Sequence, residues 1–313
     1  MSRPRKPGPA ANPELRLPGP LQASLRVAAL LAALVVAQLP ATPASATGHP
    51  TSGTCGALPQ PQPGASGGRL VIIIDDMGNN LRHGLSALAL PGKLNYAVIP
   101  FTPFAARLAD TAVEAGKEIL LHVPMSTVED LPLEPGALTS DLSRDAFRET
   151  LQNALASLPQ ARGLNNHMGS DLTQRRRQMA WLMQELRARD LYFVDSRTTD
   201  KTIAATVAGE FSVPHLSRQV FLDNERTLEA IDARFRDVLA LIHESGFAVA
   251  IGHPYPETIG YLRAALPLVM RAGIELAYVS EVVVLEMVVP DTPVSACAET
   301  PATAATTAGA ADG

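Results

Sequence analysis

The sequence predicts an α/β protein, a distorted or incomplete (β/α) barrel of about seven to eight parallel strands. Three observations carry that expectation. Short apolar runs alternate with helix-periodic segments through roughly 220 residues, the pattern of parallel strands joined by crossover helices. The first run, Leu70-Val-Ile-Ile-Ile74, is apolar at every position, as a strand covered on both faces must be. Ionisable residues then follow the ends of separate runs: Asp75, Asp76, His122, His167, Asp195 and His253. In a parallel barrel the loops leaving the strand ends converge on one rim, which would bring these side chains together.

The strand-like runs fall at residues 70–74, 95–99, 118–123, 162–166, 191–194, 211–214, 247–251 and 275–279. Helical periodicity occupies 104–115, which stops at Gly116, and 144–158, which stops before Pro159. Segment 173–189 places Met179, Leu182, Met183 and Leu186 on one face. Segment 227–245 does the same with Leu228, Ile231, Phe235, Val238, Leu239 and Ile242, and Gly246 ends it.

The chain of 313 residues is 46% hydrophobic with a net charge of −5, enough apolar material for one large core. Nothing in that charge balance points to nucleic acid. The one basic run, Arg175-Arg176-Arg177, opens a helical pattern and reads as a solvated face.

The start of the chain has the three parts of a secretory signal. Arg3, Arg5, Lys6, Arg16 and Arg26 precede an apolar stretch at 27–39, and Ala44-Ser45-Ala46 offers a cleavage site. The expected organisation is a signal peptide at 1–46, a flexible linker at 47–68, one domain at 69–289 and a disordered tail at 290–313. The apolar stretch is shorter than the roughly 20 residues of a spanning helix. Contact with a membrane is therefore expected only through this segment, if it stays uncleaved. The protein is expected to be periplasmic or secreted. Cys55 and Cys297 lie in the two tails, where an oxidising compartment would permit a bridge.

The paired carboxylates carry the chemistry. Neighbouring residues at a strand end point in different directions, so one can bind a metal while the other faces substrate. A cation would offset their repulsion. The plainer alternative is that one of them caps the next helix. His122 and His167 add neutral imidazoles, and two histidines with a carboxylate suit Zn and related divalent ions while leaving positions open for water and substrate. Pro124 breaks the strand after His122, and Asn165, Asn166 and Ser170 offer hydrogen-bond partners around His167. His253, between Gly252 and Pro254, reads as an acid for a leaving group or as another ligand. Asp195 would orient a histidine or hold Arg197. Asp223 and Asn224 are similar but weaker candidates.

The set IIIDDMGNN, LLHVPMS, GLNNHMGS, FVDSRTT, VFLDN and IGHPYPET resembles the divergent polysaccharide deacetylases, relatives of the NodB-type carbohydrate deacetylases. The resemblance spans about residues 69–285 and implies a barrel of the glycoside hydrolase/deacetylase type with a divalent metal, usually zinc. It implies that Asp75 is the general base, that Asp76 is a metal ligand, and that His253 assists the leaving group. The superfamily's H-S-x-x-H pair is incomplete: His122 is present, but Ser126 stands where the second histidine would be. His167, from the next strand, is the candidate replacement. The R-x-P-Y element is absent, and NNHMGS occupies about its place.

The expected function is metal-assisted deacetylation of a cell-envelope or extracellular polysaccharide, with a peptidoglycan-like glycan as partner. The alternative is a non-catalytic envelope protein that keeps the barrel to bind glycan or another protein. An aromatic content of 4% leaves few rings to stack on sugars, with Tyr96, Phe101, Phe104 and Tyr255 near the strand ends.

Overall fold

The computed structural model describes residues 67–288. The expected signal segment, nearly all of the linker, the tail from residue 290 and the Cys55–Cys297 pair lie outside the described residues. Strands β1 (Gly67–Met77), β2 (Asn95–Val98), β3 (Glu118–Met125), β4 (Gly163–Met168), β5 (Tyr192–Asp195), β6 (His215–Ser217), β7 (Val220–Phe221), β8 (Phe247–Gly252) and β9 (Ile274–Leu276) are threaded among the helices. These are α1 (Leu81–Leu88), α2 (Ala105–Glu114), α3 (Arg144–Ser157), α4 (Arg176–Arg187), α5 (Ala204–Glu210), α6 (Leu228–Ser245), α7 (Pro256–Arg271) and α8 (Val279–Val288).

Every strand pair is parallel. The order is β6-β5-β4-β3-β2-β1-β8-β7, with β9 against the first half of β1. The two edges, β6 and β7, are consecutive in the chain, separated only by Arg218 and Gln219. One short segment therefore bridges both ends of the sheet. Arg218 N donates to Asp195 O at 3.0 Å on one side, and Gln219 N donates to Val249 O at 3.0 Å on the other. The Gln219 side chain completes the second link by accepting from Val249 N at 2.8 Å. The result is a distorted, incomplete (β/α) barrel whose two edges are linked by this short segment and not by a strand pair.

Period-two alternation divides the apolar residues between two layers. On β1, Leu70, Ile72 and Ile74 face the helices, in one cluster with Leu121, Phe147, Phe235 and Leu262. Val71 and Ile73 face the barrel interior with Ala97, Leu120, Val194, Leu216, Val249 and Ile251. Val279, Val282 and Val283 of α8 join that inner cluster and close the N-terminal end of the barrel. Asn95 Oδ1 accepts from Val279 N at 2.9 Å and Glu118 Oε1 accepts from Ser280 N at 3.0 Å, so polar side chains of β2 and β3 cap the plugging helix from inside. With apolar residues filling the middle, inward polar groups collect at the two ends: Asn95 and Glu118 are spent on the plugging helix at the bottom, and the rest lie at the C-terminal rim.

Two expected strands are corrected. Residues 211–214 form the turn after α5, with Ser212 at φ 54°, and the strand begins only at His215. Residues 275–279 leave the sheet at Leu276, and Val279 opens α8. The mostly apolar run Leu276-Ala277-Tyr278-Val279 reads locally as strand, but Glu281 accepts from Tyr278 N at 3.0 Å and starts a helix. Burial of the valines inside the barrel then outweighs their weak helix propensity. The sequence pattern does not predict helices α1, α5 and α7; α7 carries Pro267 in its interior, which disguises it. No helix among the described residues is long and apolar enough to cross a membrane.

Phe147 of α3 is fully buried and meets Trp181 of α4 edge-on at 5.6 Å. Phe147→Ala is expected to cost about 3–5 kcal/mol, from lost burial plus the cavity left behind, read as a lower midpoint in denaturant unfolding.

Candidate active site

The adjacency of Asp75 and Asp76 poses a problem that β1 solves by bulging. In a regular strand, Asp75 would follow Val71 and Ile73 into the barrel and Asp76 would turn out toward the helices. The pairing of β1 with β2 instead shifts register between Ile74 and Met77. Asp76 adopts a left-handed conformation at φ 54°, which aspartate tolerates better than most residues. Both carboxylates therefore reach the same rim, Asp75 buried at 2% exposure and Asp76 partly open.

His122 of β3 and Asn165 of β4 are registered side by side and both point inward. Asn165 Nδ2 donates to Asp75 Oδ1 at 2.8 Å and lies 3.3 Å from Ser196 Oγ. Its Oδ1 therefore faces His122 Nδ1, at 2.8 Å. A carbonyl oxygen only accepts, so the His122 proton sits on Nδ1 and Nε2 keeps its lone pair. His167, two residues further along β4, turns Nε2 toward Glu134 Oε2 at 3.5 Å and Nδ1 toward Asp76.

Three atoms able to ligate a metal thus converge. Asp76 Oδ1 is 2.8 Å from His167 Nδ1 and 3.2 Å from His122 Nε2, and the two nitrogens are 3.2 Å apart. Asp76 Oδ1 is buried and has no hydrogen-bond partner. With both ring nitrogens unprotonated, as metal ligands must be, this arrangement is repulsive alone and stable around a cation. One carboxylate and two imidazoles, all within 4.8 Å of one another, match the donor set of a three-ligand metal centre with an open position.

The electrostatics make the same demand. Burial works to keep His122 neutral, but the neighbouring charges of Asp75 and Asp76 raise its pKa. Burial would raise Asp76, yet His122 and His167 hold it well below the usual carboxylate range. Burial dominates at Asp75 and pushes it above the ordinary range, with His122, His253 and Asn165 only partly offsetting the shift.

On the other side of Asp76 stands His253, just past β8, with Nε2 3.8 Å from Asp76 Oδ2. Its Nδ1 donates to Asp223 Oδ1 at 2.8 Å. Asp223 Oδ2 accepts from His253 N at 2.7 Å and from Thr258 Oγ1 at 2.6 Å. Burial disfavours a charged ring, but Asp223 overrides it and lifts His253 to about 9.

The sequence pattern of the divergent polysaccharide deacetylases matches residues 72–283. The chain belongs to that family. It is 35% identical over 198 residues to an uncharacterized protein of Haemophilus influenzae, covering 63% of this chain and 71% of that one. It is 36% identical over 196 residues to the uncharacterized protein YibQ of Escherichia coli, covering 63% of this chain and 61% of YibQ, and so spans less than two thirds of that relative. The crystal structure of the uncharacterized protein ATU2773 from Agrobacterium tumefaciens shares the fold, at a TM-score of 0.66 and 22% identity over 71% of this chain and 91% of that chain.

Within this divergent polysaccharide deacetylase domain, Asp75, Asp76, His122, His167 and His253 meet in one place, and the other expected residues do not. Asn166 donates to Met168 O at 2.7 Å and accepts from Ser196 N at 2.9 Å, which braces loops rather than His167. Ser170 accepts from Val128 N at 3.0 Å. Asp195 accepts from Arg197 N and from Thr202 Oγ1, both at 2.9 Å, so it shapes the loop after β5 and orients no histidine. It holds Arg197 by the backbone only, and that side chain is exposed.

Sequence reasoning underrated Asp223 and missed Glu134, and it aimed Asn165 at the wrong histidine. Of the aromatics expected near strand ends, Tyr96 faces the helices, fully buried, with its hydroxyl donating to Ala87 O at 2.8 Å. Tyr255 alone of the four stacks on a site residue, His253, at 5.3 Å.

Proposed function

We propose that this chain is a metal-dependent hydrolase that removes acetyl groups from a polysaccharide of the cell envelope or its surroundings, acting in the periplasm or outside the cell. The observation that carries this reading is the convergence of Asp76 Oδ1, His122 Nε2 and His167 Nδ1 between a buried carboxylate, Asp75, and an Asp223-backed histidine, His253. Family membership supplies the substrate class, and the basic, apolar and small-residue order of the first 46 residues supports export.

Asp76, His122 and His167 would hold the ion, and their mixed nitrogen and carboxylate donors favour zinc. Such an ion supplies Lewis-acid polarisation of an acyl carbonyl and makes a water nucleophilic near neutral pH. The protein's own groups handle the protons. Asp75 Oδ1 is occupied by Asn165, so Oδ2 takes the proton from the attacking water. The water oxygen bonds to the acyl carbon, and the bond from that carbon to the sugar nitrogen or oxygen breaks. Asp223 fixes the His253 Nδ1 proton, so Nε2 faces the site and delivers its proton to the departing amine or alcohol. Acetate and the deacetylated sugar leave.

The test is acetate release from acetylated glycans by the zinc-loaded protein. No release from N-acetylated or O-acetylated substrates would sink the hydrolase reading and favour a glycan-binding protein that keeps the fold. Asp223→Asn is expected to lower kcat on the order of 10²-fold while leaving zinc stoichiometry unchanged, since it loosens the acid without touching a ligand. Metal analysis beside initial rates checks both halves.

A further inference from the structure

His253 lies in a stack that the hydrolytic steps do not use. Phe221, the last residue of β7, covers one face of its ring at 6.2 Å with an interplanar angle of 18°. Tyr255, at the start of α7, covers the other at 5.3 Å and 30°. Each outer ring carries a guanidinium: Arg218 sits 3.8 Å above Phe221 and Arg226 sits 3.5 Å above Tyr255. The order across the rim is arginine, phenylalanine, histidine, tyrosine, arginine.

A guanidinium held over a ring can keep N–H donors on its edge for a ligand. Arg218 spends part of that edge on Ser196 O and Arg197 O, both at 2.6 Å. Arg226 is exposed. Exposed Arg197 stands beside Arg218, close enough to depress its pKa, second only to the effect of burial. Among the described residues, none of these three arginines is in an ion pair, although arginines elsewhere on the surface are. The facing lip, the loop after β3, carries the opposite sign through Glu129, Asp130 and Glu134. The β3 side of the rim thus carries carboxylates, while the β6–β8 side carries these three arginines beside Asp223 and Glu225.

We infer that the glycan this site takes is anionic, with a carboxylate or similar oxyanion on the sugar unit that lies over Phe221, His253 and Tyr255, held by Arg226 and Arg197. Edge-on guanidinium groups recognise planar oxyanions by paired hydrogen bonds, and aromatic stacking holds them ready in that orientation. A neutral polymer would leave the exposed donors to water. The sugar in this inference rests on the proposed glycan chemistry; the charge rests on the arginines alone.

The experiment is calorimetric binding to the zinc-loaded full chain of two hexasaccharides. One is neutral N-acetylated chitohexaose; the other alternates N-acetylglucosamine with glucuronate. The glucuronate ligand is expected to bind at least about tenfold tighter at low salt, and the preference should collapse near 1 M salt, where the screening length falls to about 3 Å. Arg226→Gln, a change at an exposed position, should remove most of the preference with zinc stoichiometry intact. A double Arg197→Gln and Arg226→Gln variant should remove the rest. Equal affinities, binding of neither ligand, or an unaltered preference in the double variant overturns the inference. Acetate release is followed in parallel. Anionic preference without turnover of any acetylated glycan sinks the hydrolase and leaves the anionic-glycan assignment. Turnover of chitohexaose without preference does the reverse.

Discussion

Zinc titrated into the metal-free protein is expected to bind near-stoichiometrically, and Asp76→Ala, His122→Ala and His167→Ala are each expected to lose it. The ground is the three convergent ligand atoms, 2.8 to 3.2 Å apart, with Asp76 Oδ1 buried and unpartnered. Removing any one leaves two donors, too few to replace the hydration of the ion. The effect also shows in stability, because a ligand bound only by the folded state stabilises it by mass action. Zinc at a thousandfold excess over its Kd contributes about 4 kcal/mol, roughly 10 °C in Tm for a domain of this size. Wild type should show that rise and lose it with chelator, and the three variants should show none. Ser126→Ala is the control: Ser126 sits where the superfamily's second histidine would stand, and its hydroxyl donates to Asp171 at 3.0 Å instead. Zinc loss on that substitution would move the centre away from His167.

How far this site was legible follows from which contacts are local. The unbroken apolar run of β1 announces a strand covered on both faces, and it is one: Leu70 through Ile74 are all fully buried. The two aspartates after it are visible in the sequence, but the bulge that turns both to one rim depends on pairing with β2, which no local pattern encodes. His253 is legible between its glycine and proline. Its partner Asp223 lies 30 residues away, two residues past β7, a strand too short to show periodicity. Glu134 sits in the long loop after β3, where no spacing predicts an approach to His167. Asn165 misled for a different reason. Residues two apart on a strand share a face, so it was natural to pair it with His167, yet its amide spans sideways to β1 and β3. The valines of α8 show tertiary packing overriding propensity, because the barrel needed a plug more than another strand.

Asp75→Asn is expected to keep its zinc and lose turnover by about 10²–10⁴-fold in kcat, with KM little changed. The substitution preserves shape, and an amide oxygen can still accept from Asn165 Nδ2, so the link from β1 to β4 survives. What it removes is the free carboxylate oxygen, which alone can take a proton. Asn165→Leu probes the same chain of contacts from the other end. It leaves Asp75 Oδ1 without its donor and His122 Nδ1 without its acceptor, both in a buried setting. Zinc affinity is then expected to fall about 10–100-fold, because the second partner that fixes the His122 tautomer is gone. The two variants separate the roles: one spares the metal and stops the chemistry, the other loosens the metal itself. If Asp75→Asn released acetate at the wild-type rate, the base would have to be another group, and the buried carboxylate would be only a spacer for Asn165. If neither wild type nor variant released acetate while both bound glycan equally, the site would be a binding cleft built on a deacetylase frame.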